Sequence, residues 1–154
     1  MLRVALSLAF VLFSTAAAAQ TAQNDNVNFG EPVPLSIMSE GVKHEFMVEE
    51  AKTPDQQARG MMWRDSMDDD DGMIFEYDEP RILTIWMKNT AIPLDILFVR
   101  SNGKILKIEH MAQPYTLRSA SSEAPVAAVV ELKGGRALEL GIKPGDTVEH
   151  PFFE

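Results

Sequence analysis

Residues 80–99 read PRILTIWMKNTAIPLDILFV, and the pattern of this stretch decides the fold class. Side chains of an extended chain alternate between two faces. An extended reading of Ile82 to Lys88 sends Leu83, Ile85 and Met87 to one side and Thr84, Trp86 and Lys88 to the other. The first set is an unbroken apolar face suited to a core. The second combines a hydroxyl, an indole and an ammonium group, which suits the wall of a groove. Pro93 cannot donate to a strand ladder and Asn89 tolerates unusual φ, so residues 89–93 must turn. Leu94 to Val99 then resumes as a strand, with Asp95 set in an apolar run. A bare buried carboxylate is costly. Asp95 therefore calls for partners, either amides of the 89–93 turn or a cation such as Lys88, Arg59 or Arg64.

Outward from this stretch, short β segments dominate. Leu35–Met38 and His44–Glu49 flank Ser39-Glu40-Gly41, a hairpin signal. Met73–Tyr77, Lys104–Met111, Val126–Leu132 and Thr147-Val148 are further strands. Ser101-Asn102-Gly103 contains the Asn-Gly of a tight hairpin, and Pro144-Gly145 fits a type II turn. Thr53 and Gln56 have the spacing of a capping box, with Pro54 where its missing N–H costs nothing, so a helix is expected from there to about Met62. Gly135–Leu140 reads as a second short helix. The pattern predicts an α+β fold, mostly antiparallel β: about eight short strands and two short helices, curled into a small barrel or half-barrel.

The chain has 154 residues, 45% apolar and 24% charged, which is the composition of one ordinary globular domain. Arg3 precedes an apolar run from Val4 to Phe13, and Ala17 and Ala19 complete an A-x-A cleavage site. Residues 1–19 are thus expected to be a signal peptide, residues 20–34 a polar lead-in, and residues 35–154 the domain. The apolar run is shorter than the roughly 20 residues of a membrane span. The expectation is an exported protein, periplasmic or secreted, with no membrane span after the leader is removed. There is no cysteine, which excludes disulfides, thiol catalysis and lipidation of the leader. The net charge of −9, more negative still once Arg3 is lost, argues against nucleic acid or an anionic membrane as partner.

Trp86-Met87-Lys88-Asn89-Thr90 followed by Ile92-Pro93-Leu94-Asp95 resembles the signature of the domain of unknown function 192 family. Arg59-Gly60-Met61-Met62 with Arg64, and Gly72-Met73-Ile74-Phe75, fit its earlier blocks. Ala112-Gln113-Pro114, Val130-Glu131-Leu132 and Gly141-Ile142-Lys143-Pro144-Gly145-Asp146 fit its later ones. The resemblance runs from about residue 44 to about 149. It implies a small, single-domain, β-rich protein of a kind that is often exported, and it lends no catalytic residue. Asp68 to Asp71 is an unusually acidic version of a variable turn, and the segment after Pro114 lacks a cysteine that some members carry.

On the residues themselves, the foremost reading is a non-catalytic binding module whose groove, built on Trp86, Lys88, Asn89 and Arg64, holds a small polar or anionic envelope ligand. Arg59, Thr90 and Asp95 brace that groove. Two alternatives stand beside it. One is an enzyme using Asp95 with Lys88 or an arginine. The other is a copper-handling module that gathers Met61, Met62, Met73, Met87 and Met111 around His110. No resident cofactor is expected, and no spacing of His44, His110 and His150 matches a zinc motif. The sequence is silent on oligomeric state.

Overall fold

The structure, a computed structural model, describes residues 27–154; the leader expected at residues 1–19 lies outside them. The elements are β1 (Val33–Ser39), β2 (Val42–Ala51), α1 (Pro54–Arg59), β3 (Asp71–Arg81), β4 (Thr84–Ile85), β5 (Leu94–Val99), β6 (Ile105–Ala112), β7 (Ala120–Ser121), β8 (Val126–Lys133), α2 (Arg136–Glu139) and β9 (Thr147–Glu149), then a 3-10 turn at Pro151–Phe153. Seven strands form one curled sheet in the order β6-β5-β8-β3-β2-β1-β9, and β4 pairs with β7 outside it. Among the described residues, β2 and β3 run parallel and all other strand pairs are antiparallel. The expected α+β half-barrel is the observed fold.

Local chemistry explains the boundaries. Glu40 and Gly41 both have positive φ, 50° and 83°, as a two-residue hairpin turn demands. At α1, Thr53 Oγ1 accepts from Gln56 N at 3.3 Å while Gln56 Oε1 accepts from Thr53 N at 3.0 Å. The helix ends at Arg59 rather than Met62, because Gly60 turns to φ 45°. β1 starts at Val33, inside the stretch read as lead-in, and Asn28 O already accepts from Gln56 Nε2 at 2.8 Å.

Alternation along the strands splits the apolar residues into two layers. The inner layer holds Ile37, Val48, Ile74, Leu97, Val130 and Val148. The outer layer holds Met73, Phe75, Ile96, Phe98 and Val129, covered by Leu83, Met87 and Ile92 from the central stretch. This is why β5 is buried at every position. The strand expected over Ile82–Lys88 shrinks to the pair Thr84–Ile85, since the chain is needed as a strap across the outer face. Its backbone is held by irregular bonds, with Leu83 N donating to Ser122 Oγ at 3.0 Å and Met87 N to Thr116 O at 3.1 Å. The core assignment of Leu83 and Met87 holds, and both are buried.

One end of the half-barrel closes through the β5–β6 turn. Val148 N donates to Gly103 O at 2.8 Å, and Ile105 N to Asp146 O at 2.9 Å. Gly103 has φ 75°, and a Cβ there would stand 2.7 Å from Val148 O. Gly103→Ala should therefore lower the unfolding free energy by about 2 kcal/mol, through left-handed strain and a displaced closure. Urea unfolding measures this, and a loss below about 0.5 kcal/mol would show that the closure yields easily.

Candidate functional site

The strap carrying Trp86 meets the turn that follows α1. Trp63 N donates to Asn89 O at 2.9 Å, and Asn89 Nδ2 approaches Met62 Sδ at 3.9 Å. Asn89 and Trp63 both have positive φ, 55° and 67°, so each turn is locked against the other in a sparsely populated conformation. Thr90 tightens the strap: its N–H donates to Met87 O at 3.2 Å and its hydroxyl to Lys88 O at 3.2 Å.

Between strap and turn opens a cleft of about 60 Å³, lined among others by Arg59, Met62, Thr84, Trp86, Thr90 and Glu131. Trp86 is half exposed, and Lys88 Nζ stands 5.3 Å from the centre of its ring. Glu131 comes from β8 and lies between Met73 and Ile96 on the neighbouring strands. It is 4% exposed, and its Oε2 has no hydrogen-bond partner. Burial pushes its carboxyl up to about 8, only partly offset by the positive charge of Arg64. Glu131 is therefore mostly protonated at neutral pH and can donate as well as accept.

Several expected site residues change role. Trp86, Asn89 and Thr90 lie together on the strap, and Trp86, Thr90 and Arg59 line the cleft. Arg64 does not join Trp86: its guanidinium pairs with Glu49 at 2.5 Å and lies over the Phe29 ring at 5.6 Å. Asp95 is fully buried, and the hydrogen bonds it accepts come from three backbone amides outside the 89–93 turn. It accepts from Met111 N at 2.9 Å, Gly135 N at 3.0 Å and Ala137 N at 2.8 Å. The β5–β6 ladder explains the first of these. Leu94 pairs with Ala112 and Ile96 with Glu109, so β6 carries one extra residue there. Met111 adopts φ 51° in that bulge, and its amide turns to Asp95. The other two donors open α2, whose cap residue Gly135 has no side chain to offer. Asp95 thus ties a bulge to a helix start, and His110 Nδ1 stands 3.9 Å from its Oδ1.

A second cavity of about 340 Å³ lies on the other side of the strap, with Ile85, Met87 and Ile96 among its apolar lining and His110, Gln113 and Arg118 among its polar groups. Of the residues in the copper reading, Met87, Met111 and His110 line it, whereas Met61 and Met73 are packed in the outer apolar layer. The acidic turn is held by cations of the β8–α2 corner: Lys133 reaches Asp69 at 2.6 Å and Arg136 reaches Asp70 at 2.8 Å.

A family model, DUF192, described as an uncharacterized ACR, matches residues 35–150. The chain belongs to the DUF192 family. Two solved structures resemble this DUF192 chain. One is a Sinorhizobium meliloti 1021 protein described as a "putative transcription regulator", 39% identical, with a TM-score of 0.77 over 80% of this chain and 95% of that one. The other is a protein of unknown function from Novosphingobium aromaticivorans DSM 12444, 42% identical, with a TM-score of 0.75 over 77% of this chain and 85% of that one. No curated protein matches the chain. Three of the blocks that carry the DUF192 resemblance converge in space: Arg59–Met62, Trp86–Thr90 and Glu131 all contribute to the small cleft. Glu131 is the site residue that sequence reasoning passed over. Its signal was a single carboxylate inside the apolar run Val126–Leu132.

Proposed function

We propose that the protein is a non-catalytic binding module of the cell envelope, acting after export and leader cleavage, and that its ligand is a small polar or anionic molecule held at the Trp86 cleft. The observation that carries this reading is the unpartnered oxygen of buried Glu131 at a cleft where separate sequence blocks meet. A buried polar group without a partner costs about 1–3 kcal/mol, a cost that a ligand hydrogen bond would relieve. The cleft volume of about 60 Å³ admits only the end of a molecule. The remainder would lie along the indole, with Lys88 and Arg59 supplying positive charge. The net charge of −9 supports a small ligand over DNA, whatever the role of the Sinorhizobium protein.

The test is native mass spectrometry of mature protein purified from its own export compartment. A reproducible extra mass, lost on denaturation, is expected for the natural sequence. Trp86→Ala should lose that mass while its melting temperature moves by no more than about 4 °C, because the ring is half exposed. A Trp86→Ala variant that unfolds, or that retains the mass, removes the cleft as the binding site.

A further inference from the structure

Alternation along three strands carries the inner face past its apolar layer. Val48 leads to Glu50 on β2, Ile74 to Glu76 on β3, and Val148 at β9 to His150 just beyond it. We propose that Glu50, Glu76 and His150 form a binding site for a divalent first-row transition-metal ion at this mouth of the half-barrel. One ligand atom from each lies within 4.8 Å of the others, the one such gathering of His and carboxylate groups among the described residues. His150 Nε2 is 3.6 Å from Glu50 Oε1, and Nδ1 is 3.9 Å from Glu76 Oε1. A four-coordinate zinc ion with bonds of about 2.0–2.2 Å holds its donors roughly 3.3 Å apart, so only small side-chain shifts are needed.

Two of the site's polar atoms lack a hydrogen-bond partner. The His150 side chain is 1% exposed with Nε2 unbonded, and Glu76 Oε1 is also buried without a hydrogen bond. Unsatisfied buried groups from separate elements, aimed at one point, are what a metal would satisfy. Charge agrees as well, since two carboxylates and a neutral imidazole balance a divalent ion. Lys52 now supplies the positive charge, 2.8 Å from Glu50 Oε1 and 4.0 Å from Glu76 Oε2. Its half-exposed side chain can swing away when an ion enters. Ligation through Nε2 puts the ring proton on Nδ1 and gives up the weak 3.3 Å bond from the Phe152 amide. The remaining coordination positions would be filled by water.

The three ligands stand far apart in sequence and match no short motif, so this site is independent of the Trp86 cleft in both evidence and test. Chelator-treated mature protein is titrated with Zn²⁺ by calorimetry, and Co²⁺ serves as a visible-absorption probe of the ligand field. The expected result is one ion per chain with Kd below about 10 µM and a raised melting temperature. Glu76→Gln keeps the side chain's shape and His150→Asn removes the imidazole, and each should weaken Zn²⁺ binding by about tenfold or more and change the Co²⁺ spectrum. Lys52→Gln, which removes the competing ammonium, should tighten binding. Absence of Zn²⁺ binding overturns the proposal. So does binding that survives unchanged in folded Glu76→Gln and His150→Asn, because the ion would then sit elsewhere.

Discussion

Asp95→Ala is expected to lower the unfolding free energy by about 3–5 kcal/mol, because three backbone donors lose their acceptor together. The amides of Met111, Gly135 and Ala137 converge on this one carboxylate, and none of the three has a strand or helix partner to fall back on. The β6 bulge that exposes Met111 N and the side-chain-free cap of α2 both depend on it. For a domain of this size the melting temperature should fall by roughly 10–20 °C. Asp95→Asn should lose somewhat less, since its remaining oxygen still accepts while its NH₂ group opposes a donor. Thermal unfolding of both variants against Lys88→Ala decides the matter. A catalytic Asp95 would behave in the opposite way, with stability nearly intact and turnover lost. If Asp95→Asn melts within about 3 °C of the natural sequence, the bracing role is wrong and the enzyme reading returns.

What the sequence reveals about this fold depends on which forces are local. The capping box at Thr53 and Gln56 and the Glu40-Gly41 turn are set by neighbours in the chain, and they read correctly. Ile82–Lys88 alternates as cleanly as a real strand, yet only Thr84–Ile85 pairs. Its apolar face is real, because Leu83 and Met87 are buried. The backbone partner is what periodicity cannot announce, and here it is a mixture of Ser122 Oγ and Thr116 O. Asp95 teaches the same lesson. Burial cost correctly demanded partners, but those partners lie 16 to 42 residues away in sequence, where local reasoning has no access to them.

The candidate sites divide in the same way. Trp86 was visible because an indole on the polar side of a strand is anomalous. Arg64 looked equally available, and only the fold shows that Glu49 occupies it. Glu131 was hidden by its surroundings, since an apolar run reads as core and absorbs its one carboxylate without comment. Glu50, Glu76 and His150 were invisible as a set. Their common face follows from a sheet order in which β9 returns beside β1.

Glu131→Gln is expected to make the protein more stable at alkaline pH. The native carboxyl keeps its proton up to about pH 8, whereas the unfolded chain loses it near the ordinary glutamate value of 4.5. Unfolding therefore releases a proton throughout that window. The stability conferred by neutral, buried Glu131 is complete below about pH 4.5, declines as pH rises through the window, and is gone above about 8. At 1.36 kcal/mol per unit over about 3.5 units, the full decline is on the order of 5 kcal/mol. Glutamine has the same shape and cannot ionise, so the variant should come close to the natural sequence at pH 5 and gain about 4 kcal/mol on it by pH 8.5. Glu76, also raised, and His150, lowered, remain in both proteins, so the difference between the two curves isolates Glu131. Urea unfolding at the two pH values is sufficient, and equal stabilities at pH 8.5 would show that water or Arg64 keeps the carboxylate charged. Glu131→Leu separates stability from purpose. An apolar replacement for a buried carboxyl should be neutral or stabilising, yet it leaves nothing at the cleft floor to bond a ligand. Loss of the bound mass in a Glu131→Leu protein that is no less stable would mean that the buried acid is retained for binding at the expense of stability.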